Sequence, residues 1–154
     1  MDNKDLHTFH RKCAVDLFNK VWDLMENDNR TQVDDVNMIH SSHASRYHWG
    51  IVGEPVNLAR GEWQISRVYS LLEVPERATF HAQLSLEHCK ENGIGDFDLA
   101  YAYEALARAS FVADDQTKFK EYMELAVASG KEINKKEDRE VFENDLKSLN
   151  EVMA

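Results

Sequence analysis

The sequence predicts an all-α fold: a right-handed stack of antiparallel helical hairpins, about seven helices in all, ending in a C-terminal capping helix. Three observations predict it. Apolar residues recur every three or four positions along most of the chain, and no alternating run of β-branched residues bounded by turn signals competes with that period. Apolar positions of the segment 54–92 return 41 residues later in 96–129, so that Ile65 falls on Leu106, Leu72 on Ala113, Ala78 on Phe119 and Ala82 on Met123. A step of that length is a helix pair, which cannot bury its own apolar face and must lean on a neighbour. Finally, the two prolines and most of the six glycines stand where a helix should start or stop.

The first helix runs from about Asp5 to Met25, with Phe9, Cys13, Leu17, Val21 and Leu24 as one face, and Asn27 to Asn29 break it. Thr31 is an N-cap with Asp34 three residues on, in capping-box style. The second helix carries Val36, Ile39, His40, His43, Ala44 and Tyr47 and ends near Gly50 and Gly53. Pro55 suits the first turn of the third, whose buried stripe is Ile65, Val68, Tyr69 and Leu72. Pro75 opens the fourth in the same way, with Ala78, Ala82, Leu86 and Cys89 facing the core and Asn92-Gly93 closing it.

Gly95-Asp96 caps a fifth helix bearing Leu99, Tyr103, Leu106 and Ser110, and Asp114-Asp115 turns into a sixth with Phe119, Tyr122, Met123 and Ala126. The seventh, from about Lys136 to Met153, is apolar only at Val141, Phe142, Leu146, Leu149 and Val152, as a terminal capping helix should be. The expected organisation is one domain over 1–154, with hairpins at about 5–50, 54–92 and 96–129 and the cap at 136–153. Carrying the 41-residue step backward pairs Trp63 with Trp22 and His81 with His40, which makes the first two helices a diverged third hairpin.

A hydrophobic fraction of 43% in 154 residues is enough for one globular core. The net charge of −10 argues against sequence-independent binding of nucleic acid or anionic lipid, both of which need an extended basic surface. No segment reads as a membrane span or a signal peptide. Cys13 and Cys89 are far apart and belong to no CxxC pair, so they read as reduced thiols and the chain as cytosolic.

Residues from Glu54 onward resemble the tetratricopeptide-repeat family. Ser66 and Ala107 match the small residue of that repeat's first helix, Tyr69 its aromatic a turn later, and Ala78 the small residue opening its second helix. The stretch YMELAVASGKEINKKED looks like a second repeat helix followed by the solvating helix. The chain departs from the family in its longer step, in Phe119 opposite Ala78, and in lacking the closing proline. The resemblance implies a scaffold whose first-in-pair helices line a groove for a peptide or a partner helix, with a second copy of the chain as an alternative partner. Groove positions would be Asn57, Arg60, Gln64 and Arg67 on the third helix and Asp98, Tyr101, Glu104 and Arg108 on the fifth. Equally, such residues form solvated faces with ion pairs such as Glu104 to Arg108. Trp22 and Trp63 read as core or inter-hairpin wedges, and Trp49, at a helix end, as the candidate exposed anchor.

The densest unusual chemistry is IHSSHASRYHW in the second helix. His40 and His43 share a face, and with His81 and His88 of the fourth helix they give four imidazoles for an alternative reading, a metal-binding helical bundle. Against that, the same histidines read as ordinary packing or helix-bridging residues, and Ser41, Ser42 and Ala44 as a polar seam of close helix approach. No cofactor is implied, and no nucleophile elbow, phosphate loop or dinucleotide fingerprint points to an enzyme.

Overall fold

A computed structural model describes residues 2–153, all but one residue at each end of the predicted domain. Seven helices follow one another: α1 (Asn3–Glu26), α2 (Gln32–Val52), α3 (Pro55–Leu71), α4 (Pro75–Glu91), α5 (Asp96–Val112), α6 (Gln116–Lys131) and α7 (Lys136–Met153). No strand occurs among the described residues, and none of their helices is long and apolar enough to cross a membrane. Thr31 and Asp34 form the expected capping box of α2. Pro55 and Pro75 each occupy the first turn of their helix, where the missing N–H would have had no partner.

The 41-residue step is structural. From α3 to α5 both the first residue (Pro55, Asp96) and the last (Leu71, Val112) move by that step. The turn that follows repeats as well. Glu73 and Asp114 both adopt a left-handed backbone, φ 60° and 57°. The next N–H returns to the carbonyl five residues back, Val74 to Tyr69 and Asp115 to Ser110. This is a Schellman closure with a carboxylate residue where glycine is usual. Gly93, at φ 63°, closes α4 the same way.

Neighbouring helices pack in sequence order, as α1 with α2, α3 with α4 and α5 with α6, and α3 and α5 each also pack against the preceding second-in-pair helix. First-in-pair helices also touch across hairpins, α1 to α3 and α3 to α5, whereas the backbones of α2, α4 and α6 stay apart from one another. The first-in-pair helices therefore form the inner face of the stack. α7 packs on α5 and α6 as α5 packs on α3 and α4, so it holds the first-helix slot of a further hairpin.

The core is divided among the junctions. Val21, Met38 and Val68 join α1, α2 and α3. Ala59, Ala82, Leu86, Cys89, Ala102, Ala105 and Leu106 join α3, α4 and α5. Tyr101, Ala107, Phe119, Met123, Ile133, Phe142, Leu146 and Leu149 join α5, α6 and α7. Small residues meet where α3 and α4 cross: Ser66 and Ala78 are fully buried, and the Ser66 hydroxyl donates to the Ala78 carbonyl at 2.7 Å.

The apolar residues that recur along α2 are not its buried face. Val36 is 44% exposed, Tyr47 68%, and His40 also faces solvent. The buried face is Met38, Ser41, Ser42, Ser45 and Trp49, a seam of small hydroxyls whose Ser45 donates to the Ala14 carbonyl of α1 at 2.7 Å. Gly50 lies within the helix, which runs on to Val52. On α1, Phe9 is exposed and Ala14 and Val21 are the buried positions, and on α7 Val141 and Val152 are exposed.

Cys13 and Cys89 are free. Burial pushes the Cys89 thiol up to about 11, which keeps it a poor nucleophile at neutral pH. A neutral thiol reagent should therefore modify half-buried Cys13 first and reach Cys89 only on unfolding, which mass spectrometry of the native and urea-treated protein will show.

Candidate functional site

Along the inner face runs a cleft of about 530 Å³, a size within the range of roughly 300–1,000 Å³ that ligand pockets occupy. It is lined from α1 by Phe18 and Trp22, from α3 by Ala59, Arg60, Trp63 and Arg67, and from α5 by Phe97, Asp98 and Tyr101. Asp138, Val141 and Asp145 of α7 close it. Several of these are equivalent positions of the repeat: Phe18, Ala59 and Val141 share one, and Trp22, Trp63 and Asp145 another.

The walls are aromatic and continuous. Trp22 and Trp63 lie against each other with ring centroids 5.6 Å apart, and Trp63 meets the edge of Tyr101 at 5.7 Å. Tyr101 in turn packs on Phe97 at 4.7 Å and on Phe142 at 4.9 Å. Trp22 and Trp63 are thus both inter-hairpin wedges and cleft walls. The Tyr101 hydroxyl donates to Asp145 at 2.6 Å, and burial together with that carboxylate raises its pKa far above the usual phenol range.

The charged groups are paired across helices. The Arg60 guanidinium makes a bidentate contact to Asp98, at 2.8 and 3.1 Å, and that hydrogen-bonded pairing raises its pKa. Arg67 stacks over Trp63 at 5.3 Å and approaches Glu104 at 3.7 Å. Glu104 is completely buried and takes its main support from Arg108 at 2.6 Å.

Of the predicted groove residues, Arg60, Arg67, Asp98 and Tyr101 line the cleft. Glu104 and Arg108 lie beneath it as an ion pair. Gln64 is buried and donates to the Phe18 carbonyl at 3.0 Å, and Asn57 accepts from the Glu54 backbone N–H at the start of α3. Trp49 is 8% exposed, with the Arg11 guanidinium over its ring, so it is a packed residue and no exposed anchor. The contributions of α1 and α7 were not anticipated. The 41-residue step contained that signal, since it carries Ala100 onto Val141 and Tyr101 onto Phe142.

The histidines go elsewhere. His81 Nδ1 lies 2.7 Å from Glu62 Oε2, and the Arg46 Nε donates to Glu62 Oε1 at 3.0 Å. The His43 ring meets His81 edge-on at 5.2 Å, and its Nε2 lies 2.9 Å from the Tyr69 hydroxyl. Exposed His40 and half-buried His88 make no ring or hydrogen-bond contact with this network, while His48 pairs with His10 of α1 at 2.9 Å. Among the described residues no group of three or more His, Cys, Asp or Glu side chains is arranged to hold a metal ion. The four-histidine centre is therefore not assembled, and His43 and His81 instead help bridge α2, α3 and α4.

Burial, then the neighbouring His81, lowers the pKa of His43, and burial lowers that of His48. Between that lowered value and the ordinary 6.5 the unfolded chain binds the proton and the folded chain does not. The stability that these histidines contribute is thus complete above about pH 6.5 and is lost as pH drops below it. Thermal unfolding followed from pH 7.5 to 5.5 should show a falling Tm, with a shallower fall in His43→Gln, which keeps a partner for the Tyr69 hydroxyl.

Compared with known proteins, the chain matches no protein-family model, no curated protein and no solved structure.

Proposed function

We propose that the chain is a protein-interaction module of the helical-repeat kind, similar to tetratricopeptide-repeat proteins, which holds a peptide or partner helix in the cleft of α1, α3, α5 and α7. The observation that carries this reading is the continuous aromatic wall from Trp22 to Tyr101, which lines the cleft together with Arg60 and Arg67. Aromatic and arginine side chains are the residues that most often dominate binding energy at protein interfaces. The clustering of first-in-pair helices on one face supports the same reading, because stacked hairpins present their extended binding surface there. The free thiols accord with a cytosolic setting.

Selection from a displayed random-peptide library tests the reading. Val141 is exposed and lines the cleft, so Val141→Trp should fill the cleft without disturbing the core. Peptides enriched on the wild-type chain should bind Val141→Trp at least tenfold more weakly. Equal binding to both would place the interaction elsewhere.

A further inference from the structure

We infer that the α7 end of the cleft receives a cationic side chain, an arginine presented by a basic segment of the partner protein. The inference rests on the proposed groove and adds the chemistry of its occupant.

Every cation lining the cleft already has a carboxylate: Arg60 holds Asp98, and Arg67 shares buried Glu104 with Arg108. The carboxylates of α7 are not so matched. Asp138 has no ion-pair or side-chain hydrogen-bond partner among the described residues, and Asp145 accepts only from the neutral Tyr101 hydroxyl. The lining thus holds three aspartates against two arginines. Asp138 and Asp145 are seven positions apart, two turns of one helix, so both lie on the same face of α7. Phe97 and Tyr101 line the same cleft, whereas the Trp63 ring already carries Arg67.

Aromatic rings in one cleft with carboxylates that hold no cation complement a cation. The rings attract its charge, the carboxylates accept its N–H groups, and a planar guanidinium satisfies both at once. An acidic segment would meet the reverse. It would face two unneutralised carboxylates, and recruiting Arg67 would draw a guanidinium away from fully buried Glu104. The net charge of −10 also steers a basic partner toward the chain.

The test compares the peptides selected on the full chain with their binding to two variants of equal charge. In Asp138→Asn/Asp145→Asn the Tyr101 hydroxyl keeps an acceptor. In Glu121→Gln/Glu124→Gln the same charge is removed from the exposed surface of α6, outside the cleft. Arginine should be enriched in the selected peptides. Those peptides should bind the α7 variant at least tenfold more weakly, bind the α6 variant as they bind wild type, and lose affinity as salt rises. Peptides that Val141→Trp excludes but that carry no arginine, or that bind the α7 variant undiminished, would overturn the cationic occupant and leave the groove standing. Peptides indifferent to Val141→Trp would remove the groove and this inference together.

Discussion

Replacing Phe142 with alanine should lower the unfolding free energy by about 3–5 kcal/mol, the usual loss for a fully buried phenylalanine. Phe142 is 0% exposed and anchors α7 between Tyr101 of α5 and Gly130 of α6. The approach to α6 leaves no room: a Cβ on Gly130 would lie 2.5 Å from Phe142 Cε1 and 2.7 Å from Cδ1. Gly130→Ala should therefore cost about 1–3 kcal/mol through overpacking. Truncating the ring removes the atoms that the new methyl group strikes. The double variant should fall short of the sum of the single losses by about 0.5 kcal/mol or more. Urea denaturation of the four proteins measures this cycle. The effect reaches function as well, because α7 supplies Asp138, Val141 and Asp145 to the cleft.

Glu62→Ala should cost about 3 kcal/mol, the lower end of what is lost when one member of a buried ionic pair is removed. Glu62 is 5% exposed and holds Arg46 of α2 with one oxygen and His81 of α4 with the other. Its loss leaves both without their partner where three helices meet. The Arg46 side chain is also confined, since it lies against Gly61, where an added Cβ would come within 2.9 Å of its Cδ. Glu62→Gln keeps hydrogen-bonding atoms on both sides and should lose only about 1–2 kcal/mol. Chemical denaturation near pH 7.5, where His43 and His48 add no pH-dependent loss, separates the two substitutions.

The hairpins from Pro55 onward were legible because their signals are local: a proline in a first turn, a glycine or acidic pair at an end, and a stripe at helical spacing. The inner face of α2 was legible only in part: Ser41 and Ser42 pointed to a polar seam, but Met38, Ser45 and Trp49 complete it, and small hydroxyls signal close approach and not hydropathy. The apolar pattern of Val36 and Tyr47 is real but faces outward. Trp49 was misplaced for a related reason, since its position at a helix end says nothing of what packs over it. Four of the eight predicted groove residues, Arg60, Arg67, Asp98 and Tyr101, line the cleft. Phe18, Trp22 and the α7 residues also line it, and they are far apart in sequence and meet only through stacking. The charge of α7 made it look like a plain cap, and only carrying the 41-residue step forward aligns it with α5.

Binding of the partner on the inner face of the first-in-pair helices can be read from the three tryptophans, since Trp22 and Trp63 line the cleft and Trp49 is packed elsewhere. Indole 1H–15N correlation spectra recorded while a selected peptide is titrated should show the Trp22 and Trp63 resonances moving to saturation and that of Trp49 unchanged. Saturable binding that shifts Trp49 and leaves Trp22 and Trp63 still would contradict it.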